Sequence, residues 1–405
     1  MPSRLRNKFI FLGCLLAFAA VGALVYRYWV VQKPFAVILF IADNLSPSTL
    51  AAARLVTGGA DHRFAMESLP HLALATPRAR DFAMADSAAA ASALATGQTV
   101  NRGSLSVTPE EQILETLLDI ARRQGRATGL ASNVPLTTPA TAAFFAPGFD
   151  PRDTDALTAH LLEQAPVDLL LGGGGTQLVP AAQGGARQDG RDLLLEARQR
   201  GYDIVRNREE LESTPGWRAP RLFGVFADGD LAYAEDASRF PSQPSLSDLV
   251  RRAIELLQFN RRGYFLVVHA GLTGRAAEQS RGESLLRELA ALDEAISTAR
   301  LYAGKNTLLL VCGLSNTGGL RLNAFSFAPD RGIAVLGPSA GGVPALTWST
   351  GPGADEGPSD QVATTTPRPL TIAEDILLLG EGPGTATLTG FTHLPAANQI
   401  LLQGL

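Results

Sequence analysis

The chain has 405 residues, 46% of them hydrophobic and 18% charged, which is enough material for one large α/β domain or two ordinary ones. Its formal net charge is −4, but residues 1–33 carry five basic groups and no acid, so the remainder holds 30 basic against 39 acidic side chains, a net of −9. A body this acidic excludes nucleic acid as a partner, because neutralising phosphates needs a basic face.

Residues 9–26 form an uncharged apolar run of 18, preceded by Arg4, Arg6 and Lys8 and continued after Arg27 by Tyr28-Trp29-Val30-Val31. At about 1.5 Å per residue the run spans roughly 27 Å, the thickness of a bilayer core. Two readings stay open. One is an uncleaved single-pass anchor in the inner (plasma) membrane, its basic end in the cytoplasm and Tyr26, Tyr28 and Trp29 at the outer interface. The other is a secretory signal cleaved near Ala17-Phe18-Ala19 or Ala23. The length of the run favours the anchor, and both readings place residues 34–405 in the periplasm or extracellular space. Cys14 lies in this run and Cys312 in a strand-like run, so the two do not pair and the fold is expected to stand without a disulfide.

Residues 35–41 (Phe35-Ala36-Val37-Ile38-Leu39-Phe40-Ile41) read as a strand buried on both faces, ending at Ala42-Asp43-Asn44. Similar runs recur at 168–171 before Gly172-Gly173-Gly174-Gly175, at 264–268 and at 307–311. Between them lie helical patterns at 88–95, 113–123, 156–163, 246–257 and 285–301. This alternation predicts a three-layer αβα sandwich around a mostly parallel, doubly wound sheet, with functional residues at the carboxyl ends of strands. Residues 349–369 read as a mobile surface loop, and 376–379 as the last element of the sheet. A serine at the start of a helix, here Ser87 before 88–95, gains from free backbone N–H groups and the positive helix end, either as an activated nucleophile or simply beside a cap.

The stretch Ala85-Asp86-Ser87-Ala88-Ala89-Ala90-Ala91-Ser92-Ala93, with Thr96-Gly97 and Asn101-Arg102-Gly103 after it, resembles the nucleophile segment of the alkaline phosphatase family. Phe40-Ile41-Ala42-Asp43-Asn44 is similar to that family's first strand with its metal-binding aspartate, and Thr138-Pro139-Ala140 to its magnesium-binding threonine motif. Further landmarks follow in order: 168–174, 222–227, Pro244-Ser245-Leu246, 263–268, Leu292-Asp293-Glu294-Ala295 and Thr317-Gly318-Gly319-Leu320. The resemblance covers residues 35 to about 405. It implies the family's fold and a phosphomonoesterase that works through a phosphoserine, with two zinc ions and a magnesium.

Where the family places its metal ligands, this chain departs from the pattern. Its glutamate-glycine-glycine-arginine-isoleucine-aspartate-histidine signature falls on His269-Ala270-Gly271-Leu272-Thr273-Gly274-Arg275, so a magnesium glutamate is His269 and a zinc aspartate is Gly274. A zinc histidine four residues on aligns with Glu278. The threonine-alanine-aspartate-histidine of the second zinc falls on Cys312-Gly313-Leu314-Ser315, and the final zinc histidine has its counterpart near Thr371. No histidine occurs between His269 and His393. The residual metal positions are Asp43, Thr138 and His269, a set from which no cofactor is expected, with Zn²⁺ disfavoured and Mg²⁺ the one ion left open. Around them, Ser87 holds the nucleophile position, Arg152 stands near the phosphate-clamp position, and Asp86 and Arg275 are ligand-binding candidates. His62 and His71, expected in a loop between the first strand and the serine helix, and His160 and His393 read as ordinary surface or core histidines.

Three functions are compatible with this pattern. The first is a membrane-tethered pseudoenzyme binding an anionic ligand or an envelope protein partner. The second is an active phosphate or sulfate monoester hydrolase that uses Ser87 in a rearranged site. The third is a structural envelope module.

Overall fold

The computed structural model describes residues 3–25, 36–163, 166–216, 221–323, 326–328, 332–337, 342–353 and 360–405. The chain divides into two compact units, Met1–Pro34 and Phe35–Leu405. The first is built on helix α1 (Ser3–Val25), whose side chains over residues 11–23 are exposed, Phe11, Leu15 and Phe18 among them. Among the described residues no helix is long and apolar enough to cross a membrane. The run read as an anchor ends at Tyr26, and Tyr26, Tyr28 and Trp29 fall outside the described residues.

In the second unit the strands are β1 (Ala36–Ala42), β2 (His71–Ala75), β3 (Ala127–Pro135), β4 (Leu169–Gly173), β5 (Asp203–Val205), β6 (Leu222–Val225), β7 (Tyr264–His269), β8 (Thr307–Gly313), β9 (Leu320–Leu322), β10 (Ser326–Phe327), β11 (Ala334–Val335), β12 (Leu346–Gly351), β13 (Asp360–Thr365), β14 (Ile376–Glu381) and β15 (Thr389–Thr392). Ten of them make one sheet in the order β15-β2-β14-β8-β1-β7-β3-β4-β6-β5. From β8 to β5 the strands run parallel, and β14 is antiparallel to both β8 and β2. β1 is buried at every position because it lies in the middle of this sheet, between β7 and β8.

The helices are α2 (Pro47–Gly58), α3 (Ser87–Thr96), α4 (Leu117–Arg123), α5 (Pro139–Ala142), α6 (Thr154–Glu163), α7 (Leu193–Gln199), α8 (Arg208–Ser213), α9 (Leu246–Leu257), α10 (Leu272–Glu278), α11 (Gly282–Ala303) and α12 (Leu394–Gly404). They cover both faces. Val37, Leu39 and Ile41 of β1 pack into one core with the alanines of α3 and residues of α4, α6, α7 and α12. Ile38 and Phe40 point to the other, filled by α2, α9, α10 and α11. Period-two alternation along a strand with two apolar faces produces this three-layer sandwich. Helix α9 starts at a Ser245–Asp248 capping box and covers the residues its 3.6-residue periodicity predicts. The glycine run that ends β4 answers a close approach: a Cβ at Gly173 would stand 2.1 Å from the Gly229 carbonyl oxygen, and Gly174 has φ +89°.

Three expectations are corrected by this architecture. Residues 349–369 are not simply a loop, because β12 and β13 pair there and join β9 in a three-stranded sheet. Their Thr-rich sequence has β-branched strand formers between the glycines. The strand at 376–379 does join the main sheet, but β15 and α12 follow it. His71 opens β2 rather than lying in a loop.

Candidate functional site

Parallel pairing brings the carboxyl ends of β8, β1, β7 and β3 side by side, with Ile41 in register with both His269 and Cys312, and Ser132 with His269. Residues just past these ends converge from segments far apart in sequence, as expected for an open α/β sheet. Asp43 follows β1 and is 7% exposed. The chain leaves it through Asn44, which sits at φ +58°, a left-handed conformation that asparagine tolerates better than most residues. The turn is held by the Asn44 N–H donating to the Ser315 carbonyl (2.7 Å) and by Asn44 Nδ2 donating to the Thr317 carbonyl (2.7 Å).

Ser87 is the first residue of α3 and is half-buried. Asp86 is its N-cap: Oδ1 accepts from the Ala89 N–H (2.9 Å) and Oδ2 from the Gly103 N–H (2.8 Å). Both carboxylate oxygens of Asp86 are thus occupied by backbone donors, and the ligand-binding role considered for it becomes a capping role. Alanines at 88–91 and 93 let α3 sit close against the core, and Asn398 of α12 donates to the Leu94 carbonyl (2.8 Å).

Ser87 Oγ donates to Asp43 Oδ1 at 2.6 Å, and Ser315 Oγ donates to the same oxygen at 2.8 Å, with the two hydroxyls 3.3 Å apart. Burial pushes the Asp43 carboxyl up to about 6. The Ser87 and Ser315 hydrogen bonds oppose that shift, and the charge of Glu278 adds to it. Gly274 lies against the other oxygen: a Cβ there would be 3.0 Å from Asp43 Oδ2. Leu314 is fully buried, in the same core as Ala88 and Ile41, and its N–H is bonded to the Ala42 carbonyl (2.9 Å).

His269 ends β7 with 3% exposure. Its Nδ1 lies 3.1 Å from Thr141 Oγ1, 3.4 Å from Thr138 Oγ1 and 3.5 Å from Ser132 Oγ, while Nε2 is buried without a hydrogen-bond partner. Burial, reinforced by the charge of Arg275, lowers its pKa to about 3, so the ring is neutral at physiological pH. Among the described residues no group of three or more His, Cys, Asp or Glu side chains converges in a way that would hold a metal ion.

Two arginines considered for anion binding are engaged elsewhere. Arg152 is exposed and pairs with Asp150 (3.0 Å), in a turn ahead of α6. Arg275 pairs with Asp230 (3.1 Å) and Glu278 (3.0 Å) instead of reaching Asp43, because α10 turns its side chain towards those acids. Thr371, by contrast, is brought to the rim, paired with Thr317 and accepting from Arg102 Nη2 (3.2 Å). Sequence reasoning missed Glu374, which accepts from Ser48 and Asn316 and pairs with Arg321 (3.1 Å). It stands more than 300 residues from Ser48, and no local pattern marks it.

The family model described as alkaline phosphatase matches residues 35–329. The Escherichia coli K12 alkaline phosphatase is 30% identical over 324 residues, which is 68% of this chain and 68% of that one. The Gallus gallus tissue-nonspecific isozyme is 29% identical over 326 residues, 68% of this chain and 62% of its own length, so the chain spans about three-fifths of that relative. Among solved structures, Thermus thermophilus alkaline phosphatase superposes with a TM-score of 0.75 at 23% identity, covering 93% of this chain and 92% of that one, a likeness of fold. The chain belongs to the alkaline phosphatase family.

Proposed function

We propose that this chain is a degenerate alkaline phosphatase homologue, which keeps the family's serine pocket without the two-zinc centre and uses it to bind an oxyanion ligand outside the cytoplasm. The observation that carries the reading is the environment of Asp43. Its Oδ1 accepts from two serine hydroxyls, and its Oδ2 faces Gly274, a position with no side chain to share an ion with it. A zinc pair needs several nitrogen, sulfur or carboxylate ligands at about 2 Å for each ion. Position 314 offers a leucine sealed in the core, and 274 offers no side chain. Position 278 offers a glutamate paired with Arg275. The residues present do not fit the pair. Mg²⁺ on Asp43, Thr138 and His269 fits poorly as well, since a hard cation prefers oxygen and His269 presents nitrogen.

The tether completes the reading: residues 1–33 hold the domain at the inner (plasma) membrane. Support comes from the apolar run 9–26, the three basic residues ahead of it and the acidic body behind it. Elemental analysis of the purified chain after dialysis against 10 µM ZnCl₂, a concentration on the order of a weak site's affinity, tests the metal part. Less than one zinc in ten chains is expected, and two per chain would end the proposal.

A second reading has its own observation, the 2.6 Å contact between Ser87 Oγ and a carboxylate with pKa near 6. A base in reach of a nucleophile allows Ser87 to attack a phosphate or sulfate monoester: Asp43 takes the hydroxyl proton as the new ester bond forms and gives it to the departing alkoxide, then takes a proton from the water that hydrolyses the serine ester and returns it to Ser87 Oγ. Turnover of p-nitrophenyl phosphate in the presence of EDTA, abolished by Ser87→Ala, would establish it. No turnover of phosphate or sulfate esters by the folded chain would dismiss it.

A further inference from the structure

Glu288 is a carboxyl that the serine pocket does not use. It lies on α11 with 3% exposure and lines a cleft of about 280 Å³, whose walls include Leu231, Phe240, Leu246 and Leu272. Its Oε1 accepts the Ala234 N–H at 2.6 Å, and its Oε2 accepts from Asn133 Nδ2 at 3.3 Å. The first bond fastens residues 230–240, in the connection from β6 to α9, onto α11. The second leads towards the serine pocket: Asn133 Oδ1 accepts the Leu272 N–H (3.2 Å) at the start of α10, and α10 carries Gly274 against Asp43. The same segment meets α10 again in the Asp230–Arg275 pair, and the Leu231 N–H donates to the Asn133 carbonyl (2.9 Å). The charged and titratable groups around Glu288 are Asp230, Tyr233 and Glu235 in that segment, Arg275 on α10, Arg208 and Asp248 across the cleft, and Glu294 on its own helix. Arg208 is paired with Asp248, Arg275 with Asp230, and Arg281 with Glu235. Among the described residues no cation pairs with Glu288.

We infer that Glu288 is a pH-responsive latch: its neutral form keeps residues 230–240 closed on α11, and its ionised form favours an opened segment in which water reaches the carboxylate. A charge withdrawn from water with no counter-ion beside it carries a penalty that two hydrogen bonds do not offset, so an acid placed this way keeps its proton. Burial pushes the Glu288 carboxyl up to about 7; the Ala234 N–H opposes that shift and the Glu235 charge adds to it. In the opened segment the carboxyl returns to its ordinary 4.5. The closed state holds the proton longer, so closure is tightest below about pH 4.5. It weakens by roughly tenfold per pH unit as pH rises to about 7. Opening takes Glu288 away from Asn133 and frees the start of α10, so the latch acts on the Asp43 side from a separate cleft. It goes beyond the oxyanion reading, because it operates with no ligand present.

The test is hydrogen exchange of the full chain in detergent micelles with no ligand added, corrected for the intrinsic pH dependence of amide exchange. Between pH 5 and pH 7 the opening constant over residues 231–240 is expected to rise roughly thirtyfold, well beyond any change in β1. Glu288→Gln carries no charge at either pH and is expected to remove the rise. Glu235→Gln deletes the neighbouring like charge, keeps an oxygen for the Ser284 hydroxyl, and is expected to end the rise at a lower pH. An opening constant that is the same at both pH values in the parent overturns the inference, as does a rise that persists undiminished in Glu288→Gln. A rise shared equally by β1 overturns it too, since the whole domain is then loosening. Should Glu288→Gln fail to fold, Glu235→Gln carries the test: a profile displaced to lower pH supports the latch, and an unchanged profile overturns it. Oxyanion binding at the serine pocket stands or falls independently of each of these outcomes.

Discussion

Asp43 shows how a single buried carboxyl reports on its pocket. Its folded pKa of about 6 stands above the ordinary 3.8, so the folded state holds the proton longer than the unfolded chain does. Stability therefore falls as pH rises from about 4 to about 6, and the full penalty, on the order of 3 kcal/mol, is present at neutral pH. Ser87, Ser315 and Glu278 are the polar and charged groups that set this value besides burial. Asp43→Asn keeps an acceptor for both serine hydroxyls and removes the charge. It is expected to raise the melting temperature at pH 7.5 and to match the parent below pH 4. A variant no more stable than the parent at pH 7.5 would contradict the burial of this charge. In the same pH series, Ser87→Ala should move the Asp43 transition upward, because it deletes a hydrogen bond that favours the ionised form.

At the scale of elements, two substitutions test how closely the strand ends fit. Leu314 is a packing residue: it sits past the end of β8 with no exposure, beside Ile41 and Ala88. Leu314→Ala is expected to destabilise the domain by about 2–5 kcal/mol through lost burial and a residual cavity. Denaturant midpoints measure this, and a loss below about 1 kcal/mol would show that the position is not core. Gly173→Ala would drive a Cβ to 2.1 Å from the Gly229 carbonyl oxygen, displacing the Gly174 N–H···Gly229 bond (2.8 Å) that clips the end of β4 to the loop after β6. A loss of about 2–4 kcal/mol is expected in the same experiment.

At the scale of the molecule, the two units predict separable behaviour. Deleting residues 1–33 should leave the melting temperature of the remaining chain within about 2 °C of the parent's, because both cores are built wholly from residues after Phe35. The same deletion should move the protein from the membrane pellet to the soluble fraction, and the full chain in the soluble fraction would refute the tether. Removing divalent ions with EDTA should leave the melting curve unchanged, since a ligand that binds only the folded state would otherwise stabilise it. A fall on chelation would mean that a metal is held after all.

Much of the architecture was legible along the chain. Unbroken apolar runs such as 35–41 and 264–268 can be satisfied only inside a parallel sheet, and α9 was marked at both ends by its cap and its periodicity. The ordered landmarks identified the family. These are local signals, carried by residue type and spacing. The small sheet built from β9, β12 and β13 was not legible, since the glycines, prolines and threonines of residues 349–369 read as loop until a partner strand is present. Nor were the partners of each charge. Asp86 turned out to be a cap, Arg275 faced Asp230, and Arg102 came to rest against Phe82 and Thr371, choices made by which segments the sheet brings together. Which residue types stand near the serine was written in the sequence; which of them remain unpaired was decided by the fold, because a charged side chain satisfies itself with the nearest opposite charge that packing supplies.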